Sequence, residues 1–89
     1  MKSIKIIVSG LVQGVGYRYF CYKKALEYDL KGFARNLYNG NVEILAQGDE
    51  GLIKDFIRDL NTGSQYASVK TIIAEEIEAE KEYCEFSIY

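Results

Sequence analysis

GLVQGVGYR, residues 10–18, closes an alternating apolar segment and opens an amphipathic one. A strand must therefore give way to a helix within it. Before it, SIKIIVS at residues 3–9 sets Ile4, Ile6 and Val8 on one face and Lys5, Ile7 and Ser9 on the other, the period of a half-buried strand. After it, from Arg18 to Leu30, Cys21, Ala25 and Tyr28 share one helical stripe, with Tyr22, Leu26 and Leu30 beside it. Lys23, Lys24 and Glu27 are left for water.

Working outward, GFARNLYNGNVEILAQG at residues 32–48 reads as a hairpin. Asn39-Gly40 is a strong turn signal, and Val42, Ile44 and Ala46 alternate with Glu43, Leu45 and Gln47. Asp49 stands where it can cap a second helix, in which Leu52, Ile53, Phe56, Ile57 and Leu60 recur at helical spacing before Gly63 offers a stop. ASVKTIIAEE and YCEFSIY read as two more strands joined by a charged turn near residues 79–82. The order is strand, helix, strand, strand, helix, strand, strand (βαββαββ). Two strand-connecting helices and two hairpins predict an α+β fold, a ferredoxin-like α/β sandwich with a mostly antiparallel five-stranded sheet and both helices on one face. A right-handed crossover through the first helix sends the first and second strands in the same direction. The loop after the first strand and the far end of the second then share one end of the sheet, which lets Arg18 and Asn36 approach although 18 positions separate them.

The chain has 89 residues, 48% of them hydrophobic, and a formal net charge of −2. That length predicts one domain, residues 1–89, with one modest core and one site. The acidic balance gives no global attraction to nucleic acid or an anionic membrane, so an anion has to be held by local donors. No apolar run approaches the roughly 20 residues needed to span a bilayer. The lysines and apolar run at the start lack a small-residue cleavage site and read as a strand, which leads to the expectation of a cytoplasmic protein. Cys21 and Cys84 are too few and too separated for a disulfide framework or a zinc site, and two buried free thiols are expected. The sequence contains no histidine, which removes the commonest proton carrier near neutral pH and with it Cys-His and Ser-His chemistry.

The chemistry of residues 10–18 has two readings on spacing alone. Strand, glycine-containing loop and helix start form a layout suited to phosphate, because freed backbone N–H groups and the positive helix terminus converge on one spot. Gly10, Gly14 and Gly16 give the backbone access to positive φ there. Arg18 in the first helical turn is opposed by the helix dipole by about 0.3–1 kcal/mol unless an anion is present, and its planar guanidinium can hold two phosphate oxygens. The other reading is a tight turn with a solvated or ion-paired arginine. The motif is neither a Walker loop nor a dinucleotide fingerprint.

GLVQGVGYR also resembles the first signature of the acylphosphatase family: glycine, any residue, Val-Gln-Gly-Val, any residue, Phe or Met, and Arg. GFARNLYNGNVEILAQG resembles the second, through Gly32, Phe33, Ala34, Arg35, Asn36, Gly40, Val42 and Gly48. Two ordered motifs are more specific than either alone, and the resemblance covers nearly the whole chain. It implies a metal-independent hydrolase that splits the carboxyl–phosphate bond of acyl phosphates, with no cofactor. It further implies that Arg18 and the backbone N–H groups of Gln13, Gly14, Val15, Gly16, Tyr17 and Arg18 hold the phosphate, and that Asn36 orients the attacking water. Without the resemblance, the favoured reading of Asn36 is a hairpin-strand residue bonded to backbone. The missing histidine fits this chemistry, since a carboxylate with pKa near 4 leaves without protonation. Alkyl phosphate monoesters, with poor leaving groups, are expected to react slowly. The sequence departs from the family pattern at Tyr17, in place of Phe or Met, and at Gly63-Ser64, where relatives often have Gly-Pro.

The expected partners are a small acyl phosphate and inorganic phosphate, with no nucleic acid or membrane, and the expected state is a monomer. One alternative is RNA binding, because KGFARNLY at residues 31–38 partly imitates an RNP1 motif; Arg35 replaces a stacking aromatic, and the segment falls on the second strand. Another is a ferredoxin-like module that senses an anion without chemistry. The eight tyrosines are expected mostly at the core's edge.

Overall fold

The computed structural model describes residues 1–89. Its elements are β1 (Lys2–Leu11), α1 (Tyr17–Glu27), β2 (Lys31–Asn36), β3 (Val42–Gly48), α2 (Glu50–Thr62), β4 (Ser68–Glu76) and β5 (Phe86–Ile88). The five strands form one sheet in the order β4-β1-β3-β2-β5. The alternation of β1 sends Ile6 and Val8 into the core, where they meet Val42, Ile44 and Ala46 of β3 and Ala34 of β2. Cys21 and Ala25 of α1, and Ile53, Phe56 and Leu60 of α2, cover that face. Asp49 caps α2, its carboxylate accepting from the Leu52 N–H at 3.1 Å. The two helices are tied by Asp59, which accepts from the Tyr28 hydroxyl and pairs with Lys24 at 3.5 Å. The Tyr28 hydrogen bond holds the Asp59 carboxyl below its ordinary pKa.

The sequence order and the two-layer architecture are those expected, with one correction in topology. β4 and β5 do not form a hairpin. They lie on opposite edges, β5 pairs parallel with β2 (Gly32 with Phe86, Ala34 with Ile88), and the sheet is mixed. Residues 77–85 cross the sheet, and a buried glutamine anchors them: Gln47 donates to the Lys81 carbonyl at 2.9 Å and accepts from the Tyr83 N–H at 2.8 Å. This crossing also buries Leu45 and Gln47, on the face of β3 that alternation alone assigns to water. On α1, Leu26 is exposed, so the core stripe is narrower than its apolar residues suggest.

β1 and β2 are both antiparallel to β3, so they run in the same direction, and β5 runs with them. The carboxyl ends of three strands therefore gather at one end of the sheet. The loop 12–16, Asn36 and Tyr89 all follow from those ends.

Of the two thiols, Cys21 is fully buried and Cys84 is exposed, against the expectation that both are buried. Burial pushes the Cys21 thiol up to about 12. Near neutral pH a thiol reagent is expected to modify one thiol of the folded protein, at Cys84, and both after denaturation; rapid labelling of Cys21 in the native state would contradict this packing.

Candidate active site

The loop between β1 and α1 turns twice through the left-handed region, at Gly14 (φ 73°) and Gly16 (φ 79°). A side chain at either position would meet no neighbour within 4 Å, so it is the positive φ, and not crowding, that requires glycine there. Gly10 has a different role from the one expected. It lies within β1 at a register shift, where its α-carbon passes too close to the Ser68 carbonyl for any Cβ, so it serves strand pairing and not the loop.

Gly14 and Gly16 at positive φ, with Val15 between them at negative φ, give the alternating backbone found in anion-binding nests. None of the backbone N–H groups of residues 13–18 donates to another group of the chain. Helix α1 adds to this exposure. Its N-cap is Gly16, which has no capping side chain, and its first turn holds no acidic residue. A helix start normally needs side-chain acceptors or an outside anion for these donors.

Arg18 sits in that first turn and lines a small recess of about 170 Å³ with Val12, Gly14, Gly16, Tyr17, Tyr19 and Ile88. The other two arginines are held by carboxylates, Arg35 by Glu43 and Arg58 by Asp55 and Asp59. Arg18 has no carboxylate side chain as partner. Instead its guanidinium donates to the backbone oxygen of Tyr89. That oxygen is itself held in place, because the Tyr89 N–H donates to Ala34 of β2 at 2.9 Å and the Tyr89 ring packs on Phe33 at 5.6 Å. Tyr89 is the site contact that sequence reasoning missed. It acts through a backbone oxygen brought in by the parallel β2–β5 pairing, which leaves no trace in residue type.

Asn36 ends β2, paired with Val42. Strand alternation puts it on the same face as the buried Ala34, which is the face covered by the helices, at the end where α1 begins. It is exposed there and lines a second recess of about 300 Å³ with Gln13, Leu37 and Tyr38. Arg18 and Asn36 thus border neighbouring recesses, and Gln13, at the head of the glycine loop, belongs to the one that holds Asn36. The largest recess, about 570 Å³, lies at the opposite end of the sheet around Lys2, Gln47 and residues 76–82. Four glutamates, Glu76, Glu78, Glu80 and Glu82, outnumber its two lysines, a balance that opposes an anion there.

Tyr17 is the departure from the family signature, and the structure accounts for it. Its ring is buried in the core with 1% exposure, and its hydroxyl donates to the Leu60 carbonyl at 2.8 Å, in the last turn of α2. Burial raises its pKa well above the ordinary tyrosine value, so it stays a neutral donor. Its hydroxyl is committed to the core, away from the phosphate chemistry. At Gly63 the chain leaves α2 with φ 80°, and Ser64, in place of the usual proline, has a buried hydroxyl without a partner.

The acylphosphatase family profile matches residues 4–88. An acylphosphatase from Caldanaerobacter subterraneus subsp. tengcongensis is 41% identical over 88 residues, covering 99% of this chain and 98% of its own. One from Chlorobaculum tepidum is 46% identical over 87 residues, covering 98% and 95%. The crystal structure of acylphosphatase from Bacillus subtilis superposes with a TM-score of 0.95 at 38% identity, covering 100% of this chain and 99% of that one. The chain belongs to the acylphosphatase family.

Replacing Tyr17 with Phe, the residue usual in the family, is expected to cost about 1 kcal/mol of stability by leaving the Leu60 carbonyl without its donor. Chemical denaturation checks this, and an unchanged midpoint and slope would show that water serves that carbonyl equally well.

Proposed function

We propose that this acylphosphatase-family enzyme cleaves the carboxyl–phosphate bond by in-line attack of a water oriented by Asn36. The phosphate is held by Arg18 and the backbone N–H groups of Gln13, Gly14, Val15, Gly16, Tyr17 and Arg18. Hydrolysis of acyl phosphates to carboxylate and inorganic phosphate is the activity of the family to which the chain belongs. The observation that carries the site assignment is the run of amides from 13 to 18 that donate to nothing in the chain, beside an arginine held by no carboxylate side chain and bonded only to the main-chain oxygen of Tyr89.

The residues divide the work in a simple way. The amides and the helix terminus neutralise equatorial phosphate oxygens, and the Arg18 guanidinium, steered by Tyr89, can meet two more acceptors in its plane. The transition state of phosphoryl transfer is loose, so catalysis comes mainly from positioning and charge stabilisation. The Asn36 amide can accept from water and donate toward phosphate without changing its charge with pH. The leaving carboxylate, with pKa near 4, departs as the anion. No side chain has to deliver a proton, which agrees with a site whose nearest functional groups are a guanidinium and an amide.

The RNA-binding alternative finds no support in the arrangement. Phe33 is packed between Tyr83 and Tyr89, at 5.8 and 5.6 Å, and Arg35 is bound to Glu43, so the imitation of RNP1 presents no free stacking platform. No helix is long and apolar enough to cross a membrane. The reading includes a single domain over residues 1–89 acting as a cytoplasmic monomer without a nucleic-acid partner. In favour of the single domain, the 15 buried core residues form one cluster drawn from both helices, from four of the five strands and from the connections on either side of α1.

The test is hydrolysis of a simple aryl acyl phosphate, with inorganic phosphate as competitor and an alkyl monoester as control. Arg18→Ala is expected to lose both phosphate inhibition and turnover. Asn36→Ala should lower kcat by about a hundredfold or more, as for removal of one preorganised donor, while phosphate still inhibits. Equal turnover by wild type and Asn36→Ala would remove the water-orienting role, and equal rates on the monoester would contradict the leaving-group argument.

A further inference from the structure

Gln13 stands at the head of the glycine loop, and its side chain reaches away from the proposed phosphate cradle. The amide nitrogen Nε2 donates to the Leu37 carbonyl at 2.7 Å and to the Asn41 carbonyl at 2.8 Å. Both acceptors are backbone carbonyls, so the amide orientation is fixed by chemistry: both hydrogens of the –NH₂ group are used, and the oxygen could not replace them.

The two carbonyls are those that close the β2–β3 loop. The Leu37 N–H donates to the Asn41 carbonyl at 2.8 Å, and the Gly40 N–H donates to the Leu37 carbonyl at 3.2 Å. The Asn39 side chain accepts from the Asn41 N–H at 3.0 Å. Residues 37–41 thus form a closed, internally bonded loop, and Gln13 takes the second lone pair of both carbonyls at its neck. Asn36 is the residue immediately before that neck, and Gly14, the first left-handed turn of the cradle, immediately follows Gln13.

We propose that the Gln13 side chain is a positioning residue that fixes the distance between the phosphate loop and Asn36. This deepens the hydrolytic reading and rests on it. The two halves of the site come from segments joined by no other hydrogen bond: the loop 12–16 belongs to the β1–α1 connection and Asn36 to the end of β2. A site in which water attacks a bound phosphorus tolerates little play, since a misplacement of about 1 Å can cost about a hundredfold in rate. The clamp removes that play with a neutral group, leaving the field at the phosphate to Arg18 and the amides.

The role predicts a particular split of kinetic effects. Gln13→Met keeps the length and approximate shape of the side chain and removes both donors. In hydrolysis of an aryl acyl phosphate it is expected to lower kcat by about tenfold or more, with the inhibition constant for inorganic phosphate changing less than about threefold, because the cradle itself survives. In an Asn36→Ala background the same substitution should change kcat less than about twofold, since there is no longer a side chain to position. Gln13→Asn, which withdraws the donors by one methylene, takes its place if Gln13→Met does not fold. Independently of activity, the Gln13 side-chain amide protons of the wild-type protein should exchange with solvent at least tenfold more slowly than those of the exposed Gln65. Full additivity with Asn36→Ala, kcat and phosphate inhibition falling together, or exchange as fast as Gln65 would each overturn the positioning role and leave the hydrolytic reading standing. A folded wild-type chain that turns over no acyl phosphate would overturn both, whatever the exchange rates.

Discussion

The backbone N–H groups of residues 13–18 have to find acceptors, and the chain supplies none. Gly14 and Gly16 take left-handed conformations, and Gly16 as N-cap offers no side chain to finish α1. Water can meet such donors, but an anion meets several at once and also answers the helix dipole and the cation in the first turn. The local sequence is therefore better suited to a bound phosphate than to its absence. The rest of the molecule serves to hold that loop still.

It does so through strand direction. With β1, β2 and β5 running the same way, their carboxyl ends deliver the glycine loop, Asn36 and the Tyr89 oxygen to one end of the sheet. The ladder fixes Asn36 opposite Val42, and β5, only three residues long, is enough to bring Tyr89 to Arg18. The buried apolar layer under α1 and α2 makes the sheet a rigid base. Tyr17 joins that layer to the site: its backbone begins the helix, and its ring and hydroxyl lock the helix start to the end of α2. Substituting tyrosine for the usual Phe or Met adds a hydrogen bond within the core without adding a group to the cradle.

Much of this was legible in the sequence because it is carried by local pattern. The period-two runs of β1 and β3, the cap and apolar spacing of α2, and the glycine loop before Arg18 all appear in the structure where the residues placed them. The β4–β5 connection was not legible. Its charged residues suit a tight turn as well as a crossing segment, and the choice is made by Gln47 and by the free edge of β2, contacts far apart along the chain. For the same reason the coverage of Leu45, the exposure of Cys84 and the Tyr89 contact escaped a reading based on periodicity. Gly10 was assigned to the loop by its neighbours in sequence, whereas its close approach to Ser68 is a property of strand pairing. The site's residue types were visible beforehand; its bracing through backbone oxygens was not.

The central claim is that phosphate is held by the amides of residues 13–18 together with Arg18. The most direct measurement is a titration of the ¹⁵N-labelled protein with inorganic phosphate, followed by amide chemical shifts. The account predicts a saturable change concentrated at Gln13, Gly14, Val15, Gly16, Tyr17 and Arg18, with a midpoint matching the inhibition constant for acyl phosphate hydrolysis. Unmoved resonances at those residues, at phosphate concentrations that inhibit turnover, would contradict it.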